Sequence, residues 1–211
     1  MGNLKDAKLA KLADQGNGNY FFFDSFEEAS RVFGQNLLGT LQTVAKDVKV
    51  QVEFDPASVK KYRLVGYENR EIADRDFRND RVDAGEIGSG HTVTALYELQ
   101  LTDPAASFAT VRVRWKEPQG DRAQEQAFPI VNSDQKNVPN MVKARFEDTS
   151  PDTRRAVAAA ALAENLRRSP FAESWTLPKA LELAHRALSR ENAEEFELIK
   201  SIEIAARLMG R

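Results

Sequence analysis

From Val48 the chain alternates. Val48, Val50, Val52 and Phe54 are apolar while Lys49, Gln51 and Glu53 are polar, the period of two expected of a strand with one face on a core and one in water. Asp55-Pro56 ends that run. A shorter strand is predicted from Tyr62 to Tyr67, and Val93, Ala95, Tyr97, Leu99 and Leu101 alternate with mostly polar neighbours in a third. After the Asp103-Pro104 turn, Ala109, Val111, Val113 and Trp115 alternate with Thr110, Arg112, Arg114 and Lys116, and Gln126 to Val131 adds a further strand beyond the Pro118-to-Gly120 turn. Strands joined by turns, with no long helix between them, predict an antiparallel β domain over residues 45–135, built as a sandwich or an open sheet.

On either side the period changes to that of a helix. Asn3 can cap a first helix carrying Leu9, Leu12 and Ala13 and stopped by Gly16. Tyr20 to Phe23 is a continuous aromatic run, suited to a strand covered on both faces. Ser25 and Glu28 have capping-box spacing, and Ala29, Val32, Phe33, Leu37, Leu41 and Val44 extend the second helix. Beyond a polar linker around 132–140, Ser150-Pro151 opens a helix through the alanine-rich run 156–163. Thr176 can cap a second helix with Leu177, Leu181, Ala184 and Leu188, and Asn192 with Glu195 a third with Phe196, Ile199, Ile202, Ala206 and Met209. Three short-looped helices predict a compact bundle over 136–211.

The opening unit poses a pairing problem. A strand at Tyr20 to Phe23 needs neighbours for its N–H and C=O groups, and residues 1–44 contain no second strand to supply them. The expected fold class is therefore α+β: a truncated αβα remnant of an α/β domain, then an antiparallel β-sandwich-like domain, then a C-terminal three-helix bundle. Unpaired edges at Tyr20 to Phe23 predict self-association through the incomplete N-terminal unit.

Composition narrows the chemistry. With 30 basic and 32 acidic residues interspersed, net charge −2, no basic face for nucleic acid is expected. The absence of cysteine removes disulfides and thiol chemistry, and two histidines make a zinc site difficult to supply. No apolar run is long enough to span a bilayer, and the N-terminus lacks the apolar core of a signal peptide.

Candidate chemistry concentrates in the connection within Lys61–Leu101, longer than a hairpin requires. Its Asp74, Asp76, Asp80, Asp83 and Glu86 could ligate calcium or a small ligand across 68–91. Yet Asn79 stands where an EF-hand requires glycine, and Arg70, Arg75, Arg78 and Arg81 interleave the opposite charge. Gly85, Gly88 and Gly90 precede a strand expected from about His91 rather than a helix, the wrong order for a phosphate cradle. Ser89, Asp83 and His91 are the residue types of a hydrolase triad but share one loop, and His185 reads as a helix-surface residue. No catalytic residue, cofactor or metal is assigned. Tyr67, Glu68, Arg70, Asp83 and His91 remain as candidate interaction residues for a protein partner.

The run AKDVKVQVEFDPASVKKYRLVGYENREIADRDFRNDRVDAGEIGSGHTVTALYEL resembles the start of the uncharacterised C-terminal domain that follows the von Willebrand factor A domain in bacterial YfbK-type proteins. Upstream, LADQGNGNYFFFDSFEEA resembles the closing strand and helix of the von Willebrand A domain itself. The resemblance implies a non-enzymatic interaction or structural module in the cell envelope. The metal-dependent adhesion signature Asp-x-Ser-x-Ser does not occur in this chain, so adhesion chemistry is not carried over.

Overall fold

The computed structural model describes residues 8–9, 12–13, 25–35, 42–66, 72–102, 107–131, 143 and 145–209. They form an α+β fold in the order α1 (Phe26–Gln35), β1 (Thr43–Phe54), β2 (Val59–Val65), β3 (Gly85–Gly88), β4 (Leu96–Leu101), β5 (Ser107–Lys116), β6 (Ala123–Val131), α2 (Pro151–Leu166), α3 (Leu177–Ala187) and α4 (Ala193–Met209). Residues 8–9 and 12–13 are helical, as the first stripe predicts. The expected strand at Tyr20 to Phe23 lies outside the described residues.

By contact the chain divides into two units, each discontinuous in sequence. One comprises Met1–Phe54, Ile72–Val93 and Ala109–Ile130; the other Asp55–Glu71, Thr94–Phe108 and Val131–Arg211.

The first unit is built on a sheet of order β3-β1-β5-β6. Val44, expected in a helix, is in β1: its backbone belongs to the stretch that pairs antiparallel with β3, and this long-range ladder outweighs a stripe position. The glycine run also differs from expectation. Gly85–Gly88 is itself a strand, paired with Thr43–Val48, and the next strand starts at Leu96 rather than near His91. Between β1 and β5 the register runs Val50↔Val113, Gln51↔Arg112, Val52↔Val111 and Phe54↔Ala109, with a bulge between Lys46 and Lys49. Asp47 occupies that bulge at φ 57, a left-handed conformation tolerated best by Asp and Asn among residues with a side chain. Its Oδ2 accepts a hydrogen bond from Lys116 Nζ at 2.6 Å, which holds the bulge to β5.

Both faces of this sheet are partly covered, and at the Lys49–Val50 step the order is the reverse of the expected one. Lys49 is 3% exposed, whereas its neighbour Val50 is 59% exposed. The polar face carrying Lys49, Gln51, Arg112 and Arg114 is covered by residues 72–84, which reach it through side-chain and backbone hydrogen bonds. The apolar face carrying Val50, Val52, Val111 and Val113 is left open at Val50 and half-buried at the others.

The second unit contains the β2–β4 pair and three helices. The pair is antiparallel, from Val59↔Leu101 to Val65↔Leu96. Asp55 starts it, its Oδ1 accepting from Ala57 N at 2.9 Å, an Asx turn of the kind its side chain favours. Helix α2 starts where the sequence says: Ser150 Oγ accepts from Thr153 N at 3.2 Å and Pro151 fills the first turn. At α4, Asn192 Oδ1 accepts from Glu195 N at 3.1 Å. Thr176 sits at the N-cap of α3 without a side-chain cap bond. The helices pack around Ala158, Ala161, Ala180, Ala184, Leu188, Ile199 and Ile202, where the four alanines allow close approach and the two isoleucines fill the centre.

The end of α2 is a Schellman motif. Ser169 N donates to Glu164 O at 2.9 Å and Arg168 N to Asn165 O at 3.0 Å. Arg168, at φ 54, stands where glycine is usual. This turn brings the Ser169 hydroxyl back onto the Glu164 side chain.

Candidate functional site

Two charged clusters are the most organised polar features among the described residues. The first lies on the polar face of the first unit's sheet. Arg78 Nε and Nη2 donate to Glu125 Oε2 and Oε1 at 2.9 and 2.7 Å, a bidentate pair. Arg114 Nη2 donates to Asp80 Oδ1 at 2.7 Å, Arg112 Nε to Glu53 Oε2 at 3.0 Å, and Gln51 Nε2 to Asp74 Oδ1 at 3.1 Å. Lys49 Nζ donates to the Asn79 carbonyl at 2.7 Å. The hydrogen bond from Arg114 holds the Asp80 carboxyl below the usual carboxylate range, and that from Arg78, helped by Arg112 and Arg114, does the same for Glu125. Hydrogen bonding to Asp47 raises the Lys116 ammonium.

The second cluster lies in the second unit. Glu164 is 4% exposed and accepts from Arg63 Nη1 at 2.9 Å, from Ser169 Oγ at 2.8 Å and from Arg167. Arg63 also donates through Nε and Nη2 to Glu98 Oε2 at 3.2 and 2.8 Å, and its guanidinium lies 4.2 Å from the Phe171 ring centroid. Burial would raise the Glu164 carboxyl, but the hydrogen bonds from Ser169, Arg167 and Arg63 overcome it and hold it low. For Arg63, burial opposes the charge, and the hydrogen bonds to Glu98 and Glu164 more than offset that, so its pKa is raised. The Glu164 carboxyl is thus held as an ion by its hydrogen-bond donors. The Arg63–Glu164 contact clamps the β2–β4 pair to the end of α2, and the Glu164 carboxyl, held low, offers no proton near neutral pH.

The sequence-derived site residues do not converge. Tyr67, Glu68 and Arg70 lie outside the described residues. Asp83 is exposed and its Oδ1 accepts from Ala84 N at 3.1 Å; His91 is exposed, its backbone N–H donating to Gly88 O at 3.0 Å. The acidic residues proposed as calcium ligands are dispersed over partners of their own chain: Asp74 on Gln51, Asp76 on Asn79, Asp80 on Arg114 and Glu86 on Thr43. Among the described residues no three His, Asp or Glu side chains form a group that could hold a metal ion. No described helix is long and apolar enough to cross a membrane. A shallow hollow of about 270 Å³ in the second unit is lined by Phe146, Glu147, Lys179, Glu182, Leu183 and Arg186. There Glu147 accepts from Arg186 Nη2 at 2.5 Å, so the hollow holds a neutralised pair rather than a reactive group.

Sequence reasoning missed Arg63, Glu98, Glu164 and Glu125. For Glu164 a signal existed: it continues the stripe of Ala158 and Ala161 at three-residue spacing, the buried side of α2. A carboxylate on an apolar stripe requires a buried cation. Arg63 could not be named as that cation, lying 101 residues away.

The model of the family described as "Uncharacterized protein YfbK, C-terminal" matches residues 39–108 and 103–208. The chain is 35% identical over 224 aligned positions to "Uncharacterized protein YfbK" of Escherichia coli (strain K12), an alignment covering 96% of this chain and 37% of that protein. No solved structure matches it. With the family model spanning both sheets and the three C-terminal helices, the chain belongs to the YfbK C-terminal family.

Proposed function

We propose that the chain is a non-enzymatic interaction module of a longer YfbK-type envelope protein, and that it holds the preceding part of that protein through the apolar face of the β1–β5 sheet. The observation that carries this reading is the exposure of large apolar side chains in β1 and β6 while Lys49 is buried. Val50 is 59% and Phe128 41% exposed, while the charged side chains on the other face are turned onto residues 72–84. Val50 and Phe128, exposed beside the half-buried Val52, Val111 and Val113, are suited to an apolar partner.

The occupant is the portion of the longer protein that precedes this module. The chain spans only 37% of the length of the curated relative it matches, so the greater part of such a protein is additional chain tethered to this one. Tethering supplies a high effective concentration, and a modest apolar surface then suffices for docking. Residues 12–29, with their likeness to the closing strand and helix of a von Willebrand A domain, make that domain the docking element. An enzymatic reading has no support: the described carboxylates named above are committed to arginines or to backbone and side-chain donors.

The test places Val50→Asp together with Val113→Asp in this chain carrying the preceding von Willebrand A domain of the family. Small-angle scattering is expected to show a larger radius of gyration than for the parent, with circular dichroism unchanged. An unchanged radius of gyration overturns the proposal.

A further inference from the structure

Residues 72–84 are attached to the sheet in an unusual way. Their backbone makes only local turns: Asp76 N to Ala73 O, Phe77 N to Asp74 O, Asn79 N to Asp76 O and Val82 N to Asn79 O. Within this segment one short 3-10 turn, Asp74–Asp76, is the regular structure, and β3 begins only at Gly85. What ties the segment down is a set of polar side-chain contacts to β1, β5 and β6, made by Lys49, Gln51, Arg114 and Glu125, plus one apolar anchor, Phe77, at 5% exposure.

The charged contacts of this layer respond to screening, whereas the burial of Phe77 and a sheet ladder do not. At 1 M salt the Debye length falls to about 3 Å, and exposed ion pairs lose most of their attraction. We propose that residues 72–84 form an electrostatically latched strap that lifts from the polar face of the sheet as a unit, while the sheet stays folded, and uncovers the cations Lys49, Arg112, Arg114 and Lys116. The latch consists of two charged contacts, Arg78 with Glu125 and Arg114 with Asp80. Lys49 and Gln51 add neutral-acceptor or neutral-donor bonds that water can replace. This face is opposite the apolar one, so the strap works independently of the docking proposed above.

The experiment is hydrogen exchange of the intact chain followed by mass spectrometry, in 20 mM and in 1 M sodium chloride. Each latch contact contributes a factor of roughly three in the opening equilibrium, so the amides of Asp76, Phe77, Asn79 and Val82 are expected to exchange about tenfold faster at 1 M salt. The β1 and β5 amides, 50–54 and 109–114, keep their rates. The double variant Asp80→Asn with Glu125→Gln exchanges fast in the strap at low salt and gains little from added salt. Strap amides that exchange at the β1 and β5 rate in both salts overturn the proposal. So does a double variant whose strap retains the parent's protection at low salt.

Discussion

Replacing Glu164 by alanine removes the anion at the centre of the second unit's charged cluster. Three donors lose their acceptor. Arg167 is half exposed and regains water, so its loss contributes little. The Ser169 hydroxyl loses a charge-assisted bond, worth about 1.5 kcal/mol. Arg63 loses its Nη1 partner in a mostly buried setting, for about the same again; because Glu98 still takes Nε and Nη2, the loss falls short of the roughly 3–5 kcal/mol of a buried pair broken outright. Alanine's better helix propensity returns about 0.3 kcal/mol. The expected destabilisation is about 2–3 kcal/mol, read from urea denaturation followed by circular dichroism at 222 nm with an unchanged m-value. Paired with Arg63→Met in a double-mutant cycle, the coupling should be about 1–2 kcal/mol. A loss under about 0.5 kcal/mol, or additive single variants, would refute the idea that this ion pair clamps the β2–β4 pair to α2.

Ile202, fully buried between the helices, should cost about 3–4 kcal/mol on truncation to alanine, since neighbouring alanines cannot move in to fill the space; chemical denaturation measures it. Arg168→Gly relieves the left-handed position closing α2 and should stabilise by about 0.5–1 kcal/mol in the same assay. The carboxyls of Asp80 and Glu125 are held below their ordinary range by the arginines that bond them, and that of Glu164, against burial, by Ser169, Arg167 and Arg63. Their contribution is therefore complete above the unfolded carboxylate pKa of about 4 and is lost as pH falls through the lower folded values. Thermal melts should be flat from pH 6 to 8 and shift down below pH 4, and Glu164→Gln should shrink that shift; a melting temperature constant to pH 3 contradicts it.

Features set by a few adjacent residues were legible in the sequence. Ser150-Pro151 and Asn192 with Glu195 place α2 and α4 because caps are local, and the alternation of β1 and β5 places both strands. Which face each strand buries was not legible. Period two says that Lys49 and Val50 point oppositely; it does not say that residues 72–84 return to cover the lysine. Pairing was hidden for the same reason: β1 joins β3 and β5, not its sequence neighbour β2. The four-residue β3 carries too few positions for a period, and only its ladder to β1 makes it a strand. At the candidate site the sequence reads the interleaved Arg70, Arg75, Arg78 and Arg81 as neutralising the connection's own carboxylates, whereas Arg78 pairs with Glu125 of β6 and Asp80 with Arg114 of β5.

The central claim is that the open apolar face docks the preceding part of a longer protein. The chain contains no cysteine, so Val50→Cys introduces a single reactive thiol at the most exposed point of that face. Its maleimide labelling rate, read by peptide mass spectrometry, should be high in this chain alone and fall at least tenfold when the preceding domain is attached. Equal rates in the two contexts contradict the account.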